Sequence, residues 1–247
     1  MLWARYPAAL CLLVFVLAAG SAAGGDPAQA PPTAEEGPGS GERDREQVVP
    51  DCAAEMAARV QETYDEVRDL RARFRQRTHS AAFGAAGGTE PPTSGRVAFA
   101  KPGRMHWRYE QPEPSQVISD GATLWIYDPA AQEVQILEVG EAFLSAAAIQ
   151  FLLGSGTLQG SFHIMATGCG ETQVQLHLLP KEAATYEWLE LEVAAADGTI
   201  LRTVVHDLLG NRTEVTFEDL ERNPDLPESH FRFETPEGVR ELRLPAP

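Results

Sequence analysis

Positive charge is scarce in this chain. Twenty Lys and Arg stand against 36 Asp and Glu, leaving a net charge of −16 at pH 7. Holding a nucleic-acid backbone needs clustered Lys and Arg, so that partner class is excluded. Cysteine is scarcer still, at three residues. Cys11 falls inside an N-terminal apolar run, which leaves Cys52 and Cys169 as candidates for one disulfide in an oxidising compartment. Pairing requires the fold to bring their Cα atoms within about 7 Å. The six histidines are scattered singly, without metal-ligand spacing, and no metal or other cofactor is expected. A Gly-x-Ser-x-Gly nucleophile turn and a Gly-x-x-x-x-Gly-Lys phosphate loop are both missing. Gly154, Gly156 and Gly160 are wrongly spaced for a dinucleotide fingerprint. Asp120, Asp128 and Asp207 stand at turns, where Asp bonds its own backbone, so they are not expected to form a catalytic carboxylate pair. An enzyme is therefore not the expected class.

Long apolar runs are also rare. The one obvious run, residues 8–19, follows Arg5 and precedes Gly20, Ser21, Ala22 and Ala23. That order reads as a signal peptide over residues 1–23, and its shortness argues against a membrane span. Cys11 follows Leu10 and Cys52 follows Asp51, so neither fits a lipidation site, and an exported, soluble protein is expected. Residues 24–50 are Gly, Pro, Ala and acidic residues with almost no large side chain to bury, which predicts a disordered leader. Residues 51–247 are long enough for one domain with a substantial core.

Within that domain, Met56, Val60, Tyr64, Val67, Leu70 and Phe74 recur at three- and four-residue spacing. This predicts a helix over residues 51–76, with Asp51 as its N-cap. After an Ala/Gly loop at 80–94, alternation and turn residues predict strands at 95–100, 104–111, 115–119, 123–128 and 133–137. A second helix is predicted near 142–153. Further strands are expected at 162–167, 172–180, 188–194, 200–207, 212–220 and 231–233. The fold class is thus mainly β: about eleven antiparallel strands in one curved sheet, with helices across its concave side.

Met105, Trp107 and Tyr109 fall at alternate positions and share one face of a strand. Together with Trp125 and Tyr127 they have two readings. One is ordinary core beneath the first helix. The other is the wall of a cavity for an apolar ligand, because Trp and Tyr favour sites with one wet end and Met adapts to varied partners.

The run Lys101-Pro102-Gly103-x-Met105-x-Trp107-x-Tyr109-x-x-Pro112 resembles the LolA family of outer-membrane lipoprotein carriers. So do Ile118-Ser119-Asp120-Gly121-x-x-Leu124-Trp125-x-Tyr127-Asp128-Pro129 and Phe151-Leu152-Leu153-Gly154. The likeness continues through Leu178-Leu179-Pro180-Lys181, residues 207–213 and residues 231–239, in order along nearly the whole domain. The resemblance implies a single unclosed half β-barrel covered by helices, with a hydrophobic cavity for lipoprotein acyl chains. It implies a periplasmic monomer that is loaded by an inner-membrane ABC transporter of the LolCDE type. Delivery would be to a LolB-type receptor or directly to the outer membrane.

On this reading the cavity is lined by Val60, Val67, Phe74, Val97, Phe99, Met105, Trp107, Tyr109, Leu124 and Ile126, with Lys101, Phe151 and Leu152 at the lid. Two positions depart from the family pattern. Lys101 stands where the family has an arginine that bonds the closing helices, and Met105 where it has phenylalanine. Lysine keeps the charge but not the planar fork of donors. A carrier of another lipid or glycolipid is the nearest alternative, and a secreted acyl hydrolase a more distant one. A LolB-type receptor would carry a lipidation site, and an RseB-type sensor a second domain.

Overall fold

The computed structural model describes residues 48–81, 91–138 and 156–244. The signal peptide, most of the leader, the helix expected near 142–153, and Phe151 and Leu152 lie outside the described residues. Helix α1 spans Val48–Asp65, so it begins three residues inside the expected leader, and Asp51 lies within it rather than at its cap. Pro50 falls in the first turn, where an N–H would have no helical acceptor to serve.

The helix expected over residues 51–76 is really two elements. After α1 ends at Asp65, Asp69–His79 is strand β1. Leu70, Ala72, Phe74 and Gln76 are buried while Arg71, Arg73, Arg75 and Arg77 are exposed, a period of two. The apolar spacing 67, 70, 74 imitates a helix only if the arginines between are ignored. What fixes β1 as a strand is pairing on both sides, with β2 (Thr93–Ala100) and β11 (Arg212–Arg222). Such pairing overrides the helix-friendly content of the segment.

The remaining strands are β3 (Arg104–Gln111), β4 (Ser115–Asp120), β5 (Thr123–Asp128), β6 (Glu133–Glu138), β7 (Phe162–Cys169), β8 (Gln173–Pro180), β9 (Tyr186–Ala194), β10 (Ile200–Asp207) and β12 (Arg240–Arg243). A single helical turn, α2, at Leu158–Ser161 leads into β7, with the Thr157 hydroxyl accepting from the Gly160 N–H. All twelve strands form one sheet in the order β12-β6-β5-β4-β3-β2-β1-β11-β10-β9-β8-β7. Two antiparallel meanders thus join where β1 meets β11. Residues 228–231, which include part of the expected eleventh strand, are a 3₁₀ turn, and the last strand lies at Arg240–Arg243. That strand runs parallel to β6, contrary to the expectation of antiparallel pairing throughout. The long return of residues 223–239 makes a parallel partner possible, where a tight turn would not.

Laid flat, twelve strands would span about 50 Å. Yet Leu137 of β6 and Phe162 of β7, from opposite flanks, belong to one buried cluster. The sheet thus carries one continuous apolar inner face from flank to flank. It does not close, since β12 and β7 remain its two ends.

Helix α1 turns Ala53, Met56, Val60 and Tyr64 into this cluster and packs along β7. A disulfide joins Cys52 of α1 to Cys169 of β7. At its other end α1 sits directly on the β9–β10 turn. A Cβ on Gly198 would come within 2.8 Å of the Val60 nitrogen, and φ there is +70°, so the close approach needs glycine. Thr63 donates its hydroxyl to the Asp197 carbonyl at 2.5 Å, and the Arg59 guanidinium donates to the Ala195 carbonyl. Across the outer face of the sheet, residues 223–239 form a strap. It is pinned by Phe231 against Ala98 and Ala100 and by the Leu226 N–H on the Asp69 carboxylate.

Candidate functional site

The inner face of β1 to β5 is built by register. Phe99 lies opposite Met105, and Val97 opposite Trp107. Met105 faces Ser119, which faces Leu124, while Trp107 faces Val117, which faces Ile126. Gly95 falls between Phe74 and Tyr109 in the same way, at a break in the β2–β3 register. Its missing side chain matters, because a Cβ there would stand 2.0 Å from the Arg108 carbonyl oxygen. The Phe74 ring meets Tyr109 edge-on at 5.2 Å and Trp107 at 4.8 Å. Phe99 meets Trp107 from the other side at 5.8 Å. Edge-to-face contacts of this kind suit the ring quadrupoles.

Every one of the ten apolar residues proposed from sequence is buried, and all ten fall in one cluster. Val60 reaches it from α1 and Val67 from the link to β1. Trp125 and Tyr127 do not belong to it. Pairing with Ile118 and Gln116 puts them on the outer face, where Tyr127 packs on Phe233 of the strap at 5.1 Å. The alternation that chose Leu124 and Ile126 for the inner face requires this.

The polar content of the inner face is small. Tyr109 donates its hydroxyl to Gln76 Oε1 at 3.5 Å. The Trp107 indole N–H is buried and has no hydrogen-bond partner among the described residues. The Tyr64 phenol accepts the Ile200 N–H at 3.1 Å, and burial pushes its pKa up to about 12.

Lys101 stands at the rim, on the turn between β2 and β3. The Lys101–Pro102 peptide is cis and Gly103 has φ +65°. The lysine N–H donates to the Arg68 carbonyl at 2.8 Å, and Arg104 donates to the Lys101 carbonyl at 2.7 Å. The ammonium donates to the Tyr64 carbonyl, in the last turn of α1, at 2.5 Å. Partial burial lowers the Lys101 pKa, opposed by the nearby Asp65 carboxylate. One side chain thus ties the rim of the N-terminal meander to the helix fixed on the C-terminal one. Local sequence patterns mark both residues but cannot show that they meet, since 37 positions separate them.

Other candidate chemistry disperses. Cys52 and Cys169 are joined. His106 bonds the His230 carbonyl and the Gln116 side chain, and His206 bonds Glu190 while stacking on Trp188. Among the described residues no three His, Cys, Asp or Glu side chains gather as a metal site.

A family model described as outer membrane lipoprotein carrier protein LolA matches residues 65–234. The chain belongs to the LolA family. An outer-membrane lipoprotein carrier protein of Dechloromonas aromatica (strain RCB) is 30% identical to it over 172 residues, covering 70% of this chain and 80% of that one. Its counterpart in Alkalilimnicola ehrlichii (strain ATCC BAA-1101 / DSM 17681 / MLHE-1) is 30% identical over 196 residues, covering 78% and 86%. Among solved structures, an uncharacterized conserved protein from Thermus thermophilus aligns with a TM-score of 0.47 at 14% identity, covering 77% of this chain and 98% of that one. The LolA match starts at the last residue of α1. Cys52 and most of the helix therefore lie outside it, although they complete the buried cluster.

Proposed function

We infer that this LolA-family chain is a periplasmic carrier. It takes lipoproteins released from the inner membrane, shields their acyl chains and brings them to the outer membrane. The observation that carries this reading is the large apolar cluster on the inner face of an unclosed sheet. Its wall is nearly free of polar groups, and α1 lies against it.

Burying a CH₂ is worth ~0.8 kcal/mol, so fully enclosed acyl chains would hardly leave unaided. A carrier needs an empty state that is itself well packed, so that closing competes with holding cargo. The mutual contacts of Phe74, Phe99, Trp107 and Tyr109 supply such a state. Separating them to admit an acyl chain exchanges one apolar contact for another, which keeps the net affinity moderate. Lys101 acts as a latch, because its bond to the Tyr64 carbonyl exists only while the β2–β3 rim and α1 stay together. Phe151 and Leu152 belong to the lid on this reading.

Loading is by a LolCDE-type ABC transporter, which supplies the energy. Delivery is to a LolB-type acceptor or to the membrane itself. The carrier works as a monomer, forms no covalent intermediate and needs no cofactor.

The test is release of a fluorescent lipoprotein from spheroplasts of the source organism by the purified mature protein, followed by mass spectrometry of the soluble complex. A one-to-one complex with acylated lipoprotein is expected. No release in the presence of the organism's own transporter overturns the reading, and a copurifying lipid without protein redirects it to another lipid class.

A further inference from the structure

The end of the sheet at the β10–β11 turn carries two leucines that the fold leaves outside. Leu208 is 66% exposed and Leu209 63%, the two most exposed large apolar residues among those described. They are not loose. The Asp207 carboxylate accepts the Leu209 N–H at 2.9 Å, the Asn211 N–H at 2.8 Å and the Asn211 side-chain amide at 2.7 Å. Asp207 and Asn211 also pair through the Asp207 N–H and the Asn211 carbonyl at 3.0 Å, and Gly210 takes φ +81°. From beside the turn, the Ala81 N–H donates to Asn211 Oδ1 at 3.1 Å. A turn closed so completely by its own polar groups cannot fold its leucines inward. It presents them.

We propose that Leu208 and Leu209 form a membrane-touching tip, which inserts at the boundary between headgroups and acyl chains of a phospholipid leaflet. Size argues for lipid over protein. Two side chains are a small fraction of the ~800 Å² that each side of a stable protein interface buries, whereas insertion into lipid needs no matching surface. Charge argues the same way. The chain as a whole carries −16 and is repelled by an anionic leaflet. At this end of the sheet most of the acids are paired. Asp207 is bonded within the turn, Glu190 to His206, Glu192 to Arg202, and Glu214 to Arg202 and Arg212, while the exposed Arg77 lies opposite Glu214 without an ion-pair partner among the described residues. This pairing lets the tip approach a bilayer at less cost than the net charge of the chain implies. Two leucines give a reversible contact, which suits a carrier that must leave again. This role as the delivery contact rests on the carrier reading, while the lipid contact itself does not.

The test uses the full mature protein and vesicles of phosphatidylethanolamine and phosphatidylglycerol, about 3:1, a mix that keeps the leaflet anionic. Wild type should co-float with the vesicles, and more so as salt is raised, because screening removes the repulsion while apolar insertion remains. Leu208→Ser combined with Leu209→Ser should reduce the bound fraction about tenfold, at an unchanged melting temperature. Leu209→Trp should add emission that shifts to the blue on vesicle addition. Equal flotation of the double variant and wild type, no flotation of wild type, or an added emission in Leu209→Trp that vesicles leave unmoved each overturns the proposal. So does a wild-type dimer in gel filtration that the double variant abolishes. In transfer assays the double variant should extract lipoprotein like wild type but deposit it in acceptor vesicles about tenfold more slowly, in step with its weaker lipid contact. Failure of wild type to extract would count against the carrier reading alone, since flotation reports on the tip without cargo.

Discussion

The ammonium of Lys101 donates a 2.5 Å hydrogen bond to the backbone carbonyl of Tyr64. The acceptor is one of the last carbonyls of α1, where a cation is favoured, and it also accepts the Val67 N–H at 3.3 Å. The contact joins the β2–β3 rim to the end of α1 through a single side chain. A hydrogen bond to a charged group is worth about 1.5–3 kcal/mol, less where water competes.

Lys101→Leu should therefore destabilise the empty protein by about 1 kcal/mol in urea unfolding. It should accept lipoprotein but deliver it poorly, because the closed state competes less well with cargo. Lys101→Arg should restore delivery. Transfer from loaded protein to acceptor membranes is the readout, and unchanged transfer by Lys101→Leu would remove the latch from the mechanism.

Tyr64 predicts a loss of stability in alkali. Its phenol is held near pKa 12 by burial, against an ordinary value of 10.0, and Tyr186 is shifted likewise. Between those values the unfolded state has released protons that the folded state keeps. Stability should be fully present below about pH 10 and fall as pH rises toward about 12. Ultraviolet absorbance of phenolate across an alkaline titration should show two tyrosines that ionise only as the protein unfolds. Tyr64→Phe should remove that contribution and cost about 1–2 kcal/mol at neutral pH by orphaning the Ile200 N–H.

The Cys52–Cys169 bridge spans 117 residues and fastens α1 to the end strand of the sheet. Replacing both cysteines by serine should lower stability by about 2–4 kcal/mol, since the unfolded chain regains the freedom that the crosslink removes. Hydrogen exchange should place the largest loss of protection in residues 52–65 and in β7. A uniform change along the whole sheet would argue that the bridge is not what holds α1.

Trp107 separates packing from polarity. Trp107→Ala should cost about 3–5 kcal/mol and weaken acyl binding, because Phe74 and Phe99 both lose their shared partner. Trp107→Phe should cost much less, as the indole N–H it removes has no partner to orphan. Equal losses for the two variants would mean that the N–H is engaged after all.

Ten of the twelve strands are readable to within a few residues, because alternation and Gly, Asn or Asp turns are local signals. β1 is not. Its apolar residues fit a helical period by coincidence, and only neighbours far along the chain make it a strand. β12 escapes for a related reason: four residues with little apolar content become a strand only by lying beside β6. The inner-face residues of β2, β3 and β5 follow from parity alone. Trp125 and Tyr127 show the cost of letting aromatic character outvote parity.

What the sequence determined by itself was the short-range part: strand parity, turn positions, the apolar face and the family motifs. Period and turn chemistry act over a few residues, so they are written where they operate. What only the tertiary structure decided was which distant pieces meet. The joining of β1 to β11, Cys52 to Cys169, Gly198 to the backbone of α1 and Lys101 to Tyr64 all depend on how far the sheet coils. Coiling is a property of twelve strands together, and no window of sequence contains it.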